Sequence, residues 1–374
     1  MTERWLEAIT RADLAGLERY EIPHPPGIRA KLDANESPYP LDEDLRAGLA
    51  EVLAAVDLNR YPDGEAREVR ALVAAEVGCP PERLVFGNGS DELITLLVTA
   101  FSRPRAGGVD GRARVLYPVP SFVCYRIAAL AQGVLPVEVP LAPDFQLDEA
   151  AAERALAGAR PNLAFFALPN NPTGTLWPPR AVASLAARHP GTLFVVDEAY
   201  VDYAGETLVD LVPHRPNLVV MRTLSKIGLA ALRVGYLVAG AAVLHELEKI
   251  RPPYNVGALN QAAAAWLLRH HAARLRGRIQ AIVRERERLV AALGAVGGVH
   301  PFPTRANHVL LRVGEPGDGR ATLAWRRLAE RGVLVRNFDR PGPLSGCLRV
   351  TVGSPAENDL FLAALSAAPA ASAG

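Results

Sequence analysis

Apolar and polar positions follow two periods along this chain. Short continuous apolar runs recur at Arg83–Phe86, Arg114–Leu116, Val134–Val139, Leu163–Leu168, Thr192–Val196, Leu218–Met221 and Val234–Val238. Each is too short for a stable helix and reads as a strand covered on both faces. Between them, apolar residues fall at helical spacing over Asp91–Phe101, Phe122–Ala131, Arg180–Ala187 and Ala242–Ile250. Two helices are predicted ahead of the first strand, over Asp42–Val56 and Gly64–Val77. The second aligns Val69, Leu72, Val73 and Val77 on one face and stops at Gly78 and Pro80. Strands alternating with helices predict an α/β fold with a large, mostly parallel sheet flanked by helices.

The texture changes twice. Residues 1–40 are irregular and proline-rich and read as an arm and loop. After Arg251-Pro-Pro-Tyr254 come two helical stretches, Leu259–His270 and Ala272–Leu293, then apolar runs at His308–Val313, Val333–Phe338 and Leu348–Val352. Helices are predicted at Ala321–Glu330 and Ala356–Leu365. The chain therefore divides into an arm (1–40), a large domain (41–255) and a smaller α/β domain (256–374) against which the arm packs. The tail from Ala367 is expected to fray.

Composition narrows the class. The 374 residues carry 41 basic and 40 acidic groups, a net charge of +1, so there is no general field for nucleic acid. No apolar stretch approaches the ~20 residues that span a bilayer. The charged start, Met1-Thr-Glu-Arg-Trp-Leu-Glu7, lacks an apolar signal core. Cys79, Cys124 and Cys347 are too far apart for a zinc site and too few for a disulfide framework. The eight histidines show no His-Glu-x-x-His spacing, so no metal is expected. The expectation is a soluble cytoplasmic enzyme.

One count bears on chemistry. Of the 41 basic residues, 38 are arginines, and the lysines are Lys31, Lys226 and Lys249 alone. A lysine kept in such a chain is a candidate for a required amine, because lysine can shed its proton and form an imine whereas arginine stays protonated. Lys31 and Lys249 have the setting of solvated charges.

In open parallel sheets, ligands sit beyond the carboxyl ends of the strands. Four predicted strand ends carry polar residues there: Gly87-Asn-Gly-Ser-Asp-Glu92, Pro169-Asn-Asn-Pro-Thr-Gly174, Asp197-Glu-Ala-Tyr200, and Arg222-Thr-Leu-Ser-Lys226 followed by Arg233. A glycine-rich turn into a helix offers N–H groups to a phosphate, which suits Gly89 and Ser90. Asp91 is then an odd neighbour for an anion unless its carboxylate turns away to cap the helix. Thr223, Ser225 and Arg233 could add hydroxyls and a cation. A buried Asp197 is costly unless it faces a cation, and a protonated pyridine nitrogen is one. Each piece alone has a plainer reading: a turn, a cap, a metal ligand, or a Ser225–Lys226 hydrolase dyad. In this order, at matching strand ends, they converge on pyridoxal 5'-phosphate.

The same strings carry a resemblance. Asn170-Asn-Pro-Thr-Gly174, Asp197-Glu-Ala-Tyr200 and Thr223-Leu-Ser-Lys226 with Arg233-Val-Gly-Tyr236 resemble the pyridoxal-phosphate aminotransferases of the aspartate-aminotransferase fold (fold type I). Leu32-Asp-Ala-Asn-Glu-Ser-Pro-Tyr39, Arg60-Tyr-Pro-Asp63, Gly87–Glu92 and Gly346–Gly353 are similar to the histidinol-phosphate aminotransferases within that family. The resemblance implies that Lys226 holds the cofactor as an imine and moves the proton between Cα and C4′. Asp197 would keep the pyridine nitrogen protonated. Tyr200 and Asn171 would bond the phenolic oxygen. Gly89, Ser90, Asp91, Thr223, Ser225 and Arg233 would surround the phosphate. Tyr61 would reach that phosphate from the other subunit of a homodimer.

Arg349 would grip the carboxylate of glutamate in one half-reaction and the substrate phosphate in the other, assisted by Arg336 and Tyr20, with Asn35 nearby. The implied reaction is ping-pong transamination between histidinol phosphate and 2-oxoglutarate, a step of histidine biosynthesis. A threonine-phosphate decarboxylase or an aromatic-amino-acid aminotransferase of the same fold is the alternative. Independently of the resemblance, Arg336 and Arg349 lie in apolar strand contexts where an unpaired charge is costly, and two arginines on one anion favour a phosphate monoester. Six residues separate Lys226 from Arg233, so the turn after the lysine is expected to be tight.

Overall fold

The computed structural model describes residues 4–14, 17, 25–104 and 111–366. Its strands are β1 (Ala30–Leu32), β2 (Leu84–Asn88), β3 (Arg114–Val119), β4 (Leu135–Pro140), β5 (Leu163–Ala167), β6 (Leu193–Asp197), β7 (Leu218–Thr223), β8 (Val234–Val238), β9 (Val299–Pro301), β10 (His308–Val313), β11 (Val333–Asn337) and β12 (Cys347–Thr351). The helices are α1 (Arg4–Ile9), α2 (Glu43–Ala54), α3 (Arg67–Val77), α4 (Gly89–Ala100), α5 (Cys124–Ala131), α6 (Glu149–Ala159), α7 (Pro179–Arg188), α8 (Val201–Ala204), α9 (Ala241–Glu248), α10 (Ala258–Gly294), α11 (Arg320–Glu330) and α12 (Pro355–Ser366).

Seven strands form one sheet in the order β2-β8-β7-β6-β5-β3-β4. Its apolar runs are continuous because both faces are covered. Phe165, Val195, Val219 and Leu237 point into one core, while their chain neighbours Phe166, Val196, Val220 and Val238 point into the other. All neighbouring pairs are parallel except those of β8, which runs antiparallel to β7 and to β2. The reason is length: residues 224–233 are too few for a right-handed crossover, so the chain turns back as a hairpin. That return puts the Lys226 turn and the start of β8 at the edge where β5, β6 and β7 end.

The second sheet has five strands in the order β1-β11-β12-β10-β9. Here β1 joins β11 in parallel, and the remaining pairs are antiparallel. Its core gathers Leu32, Val309, Leu311, Val335, Leu348 and Val350, and it also takes in Tyr200 and Tyr203 from the first sheet's edge.

Three sequence expectations change. The two stretches after Tyr254 are a single 37-residue helix, α10, because the segment around His270-His271-Ala272 contains no breaker. The arm is not irregular throughout, since residues 30–32 pair with 333–335 as an edge strand. Helix α6 was not anticipated, although Asp148 caps it by accepting from the Ala151 N–H at 2.8 Å.

Candidate active site

The Lys226 amine sits on an irregular turn. Residues Ser225–Leu229 form one wide turn in which Leu229 N–H reaches back five residues to the Leu224 carbonyl (3.3 Å). Such π-type turns occur often at functional sites. Gly228 carries φ +102°, which a residue with a side chain rarely adopts. The Tyr203 hydroxyl donates to the Lys226 carbonyl (2.5 Å) and ties the turn to α8. Lys226 Nζ lies 3.4 Å from the Ala34 carbonyl and 5.8 Å from the centre of the Tyr200 ring. Desolvation, and then the nearby Arg349 charge, lower its pKa to about 8. About a tenth of this amine is therefore unprotonated at pH 7, far more than for an ordinary lysine.

Asp197 ends β6 and is 5% exposed. Its neighbour Glu198 is also buried but is neutralised by Arg222 at 2.8 Å and bonded by Thr207 and the Leu208 N–H. Asp197 has no ion pair among the described residues. Its Oδ2 accepts from the Tyr125 hydroxyl (2.6 Å) and its Oδ1 from the Ala199 N–H (3.0 Å). Desolvation outweighs those two bonds and pushes its pKa up to about 6. A carboxylate held at this cost calls for a cationic partner.

The turn into α4 and the start of β8 form a narrow cradle. Gly235 presses on α4, since a Cβ there would lie 2.5 Å from Gly89 C and Ser90 N. A Cβ on Gly89, at φ +75°, would meet the Arg233 guanidinium at 2.4 Å. The Gly89 N–H, expected to be offered to an anion, instead donates to the Arg233 carbonyl (2.7 Å). The open first turn of α4 leaves the N–H groups of Ser90 and Asp91 in that role. Nor does Asp91 cap the helix: Glu92 accepts from the Asn88 N–H (2.6 Å), while Asp91 pairs with Arg233 at 3.1 Å. Arg233 also reaches Ser225 Oγ at 3.5 Å. The Thr223 hydroxyl accepts from Ser225 N–H (3.1 Å) and contacts Ser225 Oγ (2.8 Å), so it braces the turn.

The second sheet supplies the opposite wall. Arg336 on β11 and Arg349 on β12 are direct cross-strand partners, which puts both side chains on one face. Arg349 is buried and donates to Asn171 Oδ1 (2.5 Å) and the Asp33 carbonyl (2.5 Å). The Asn171 carbonyl is thus occupied, and its NH2 is the group available to donate. Asn35, at φ +54°, is also buried. Its Nδ2 donates to the Tyr200 hydroxyl (2.9 Å), and its N–H donates to Thr351 Oγ1 (2.9 Å).

Lys226, Asp197, Tyr200, Asn171, Arg349 and Asn35 are thus joined by hydrogen bonds, ring contacts or adjacent strand ends, with Gly89, Ser90, Asp91, Thr223, Ser225 and Arg233 gathered around the helix terminus. Tyr61 stands apart. It is 81% exposed and stacks on Tyr254 with ring centres 4.6 Å apart. Tyr20 lies outside the described residues. Sequence reasoning missed Tyr125, which looked like one more apolar position on α5; a hydroxyl on a core face facing a strand-end acid was the available signal. A cavity of about 290 Å3 lies behind the Lys226 turn, lined by Leu224, Ile227 and Asp202, but Lys226 does not line it. Among the described residues no helix is long and apolar enough to cross a membrane.

Comparison with known proteins shows the family and the fold. The family of class I and II aminotransferases matches residues 29–365. A histidinol-phosphate aminotransferase of Methylibium petroleiphilum is 44% identical over 365 residues, covering 96% of this chain and 94% of the relative. The crystal structure of histidinol-phosphate aminotransferase from Sinorhizobium meliloti in complex with pyridoxal-5'-phosphate superposes with a TM-score of 0.83 at 26% identity, covering 96% of this chain and 97% of that one. L-threonine-O-3-phosphate decarboxylase from Porphyromonas gingivalis superposes at 0.76 with 26% identity, covering 90% of this chain and 98% of that one.

Proposed function

The chain belongs to the class I and II aminotransferases, and on that footing we propose that it transfers the amino group of histidinol phosphate to 2-oxoglutarate. The products are imidazole-acetol phosphate and glutamate. The observation that supports this reading is that Arg349, the cross-strand partner of Arg336, lies near enough to Lys226 to lower its pKa, while Asp197, which has no ion pair among the described residues, ends the strand beside the one that leads to Lys226.

Pyridoxal 5'-phosphate fits the residues present. Asp197 lacks a cationic partner, and a protonated pyridine nitrogen supplies one. The close Gly89–Gly235 approach brings the strand backbone against the α4 terminus, where the Ser90 and Asp91 N–H groups and the Arg233 guanidinium suit a phosphate. When bound, the cofactor supplies an electron-accepting ring that stabilises negative charge on the substrate's Cα. The chain's own residues do the rest. Lys226, with its lowered pKa, would take the proton from the substrate Cα and deliver it to C4′ of the cofactor. Asp197 holds the ring nitrogen's proton. Tyr200, held by Asn35, and the Asn171 amide would bond the ring's phenolic oxygen. Ser90, Ser225 and Arg233 hold the cofactor phosphate, with Thr223 bracing Ser225.

Arg349 and Arg336 bind the substrate's anionic end. Because Arg349 already donates to Asn171 and the Asp33 carbonyl, an arriving carboxylate or phosphate finds its guanidinium oriented. Two cations on one face suit a phosphate monoester. A division into arm 1–40, large unit 41–255 and small unit 256–374 would put the two walls on different units. The active unit is a homodimer in which Tyr61, exposed in the single chain, reaches the partner's cofactor phosphate.

The test is a product assay. The protein with histidinol phosphate and 2-oxoglutarate is expected to yield glutamate in equal amount to substrate consumed, without carbon dioxide. Carbon dioxide from threonine phosphate, with no glutamate, would replace this reading by decarboxylation.

A further inference from the structure

The cofactor reading rests on an ionised Asp197, and the chain must keep it ionised in a dry setting. Its neighbours do not help. On the flanking strands it lies beside Ala167 and Met221, neither charged. Asp91 on α4 and Glu198 beside it push its pKa up. Cys124 and Tyr200 are the other titratable groups that face this pocket. What favours the charged form is two hydrogen bonds, and the Tyr125 hydroxyl is the side-chain donor of the two.

That hydroxyl is held by its ring. Tyr125 is fully buried and stacks on Phe165 with ring centres 4.7 Å apart and planes 14° apart. Phe122 meets it edge-on at 5.8 Å, and Tyr117 lies 6.0 Å away. Burial and the Asp197 charge raise the phenol's own pKa well above its ordinary value, so it stays a donor at every working pH. The Ala199 N–H is fixed by the backbone on the other carboxylate oxygen. The acid is therefore gripped at both oxygens, and its remaining lone pairs keep one orientation.

We infer that Tyr125 is a positioning residue for the cofactor: its stacked phenol holds the Asp197 carboxylate ionised and in a single orientation toward the ring nitrogen. A tyrosine placed there only to fill the core would use its ring and need no acid. The inference rests on the pyridoxal-phosphate reading.

The test is the ratio of cofactor dissociation constants, Tyr125→Phe over wild type, measured by spectral titration from pH 5 to pH 9. The phosphate, the cofactor's own groups and Lys226 titrate alike in both proteins and cancel. Loss of the donor raises the carboxyl's proton affinity by about one pH unit, so the ratio is expected to be near one at pH 8.5 and about fivefold at pH 6. Tyr117→Phe, in the same ring cluster but bonded to Glu138, is the control and keeps a ratio of one throughout. A ratio for Tyr125→Phe that does not change with pH overturns the inference and leaves the cofactor reading standing. Failure of the wild type to bind the cofactor overturns both. Should Tyr125→Phe not fold, carbon-13 NMR of the wild-type apoprotein decides. The Asp197 carboxyl must titrate near pH 6, together with a slowly exchanging tyrosine hydroxyl proton, and absence of that coupling overturns the inference.

Discussion

The two walls of the cleft solve the problem of buried charge in opposite ways. On the large-sheet wall Asp197 is left without a counter-charge and sits with its pKa raised to about 6. On the small-sheet wall Arg349 is also buried and donates to two neutral acceptors, Asn171 and the Asp33 carbonyl. One wall is incomplete until a cation arrives. The other already holds its cation oriented by two neutral acceptors, and an anion adds to them. The difference teaches that permanent cofactor and transient substrate call for different electrostatics: the first wall stores a penalty that binding removes, and the second stays stable through each cycle of release.

The sharpest way to break this comparison is at Lys226. Lys226→Ala is expected to bind cofactor yet lose turnover by about 10⁴-fold or more. Borohydride should fix cofactor to the Lys226 peptide in wild type alone, as mass spectrometry reads. Retained transamination would remove Lys226 from the chemistry.

Arg349→Ala comes next. It should lower kcat/KM for glutamate and for the phosphoester alike, by about 10²–10³-fold, because the same guanidinium meets both anions. An effect confined to one substrate would show that the small-sheet wall has two separate anion sites.

Asp197→Asn tests the stored penalty directly in cofactor-free protein. A carboxyl whose folded pKa is raised costs stability as it ionises. The cost is absent below about pH 4 and fully present above about pH 6, where it amounts to roughly 3 kcal/mol. The variant apoprotein should therefore be more stable than wild type at pH 8, with the gap closing as the pH falls from about 6 to about 4. A thermal-melt series that shows no such closing would mean the acid is not strained. With cofactor present the order should reverse at pH 8.

Arg336→Ala should be smaller and one-sided. It is expected to weaken the phosphoester about tenfold while sparing glutamate, since a dianion uses the second cation and a carboxylate does not. Smallest is Tyr61→Phe, for which a rise of only a few-fold in the cofactor dissociation constant is expected, the worth of one exposed hydrogen bond. Mixing that variant with Lys226→Ala subunits would show whether the tyrosine acts across the dimer.

The cofactor wall was legible because its parts are contiguous strings at strand ends. Asp197 directly follows an apolar run, Ser225-Lys226 follow another, and a parallel sheet lays such ends side by side. The substrate wall was legible only as residues in costly places: Arg336 and Arg349 stood out inside apolar runs, but their one-face pairing depends on the register of β11 and β12. Asn35 is drawn in by β1, three residues long and too short to carry a periodic signal. Tyr125 was hidden because a hydroxyl on an apolar helix face looks the same whether or not an acid waits 2.6 Å away.

What the amino-acid order alone determined is the covered α/β sheet and the strand-end positions of the candidate lysine and acid, because local patterning and strand-end position are properties of a one-dimensional string. Tertiary structure alone decided which groups are already occupied. Gly89 N–H is taken by the Arg233 carbonyl, Asp91 by Arg233, and Arg349 by Asn171. The physical reason is that a hydrogen bond between residues about 140 or more positions apart is set by packing and register, which no local pattern encodes.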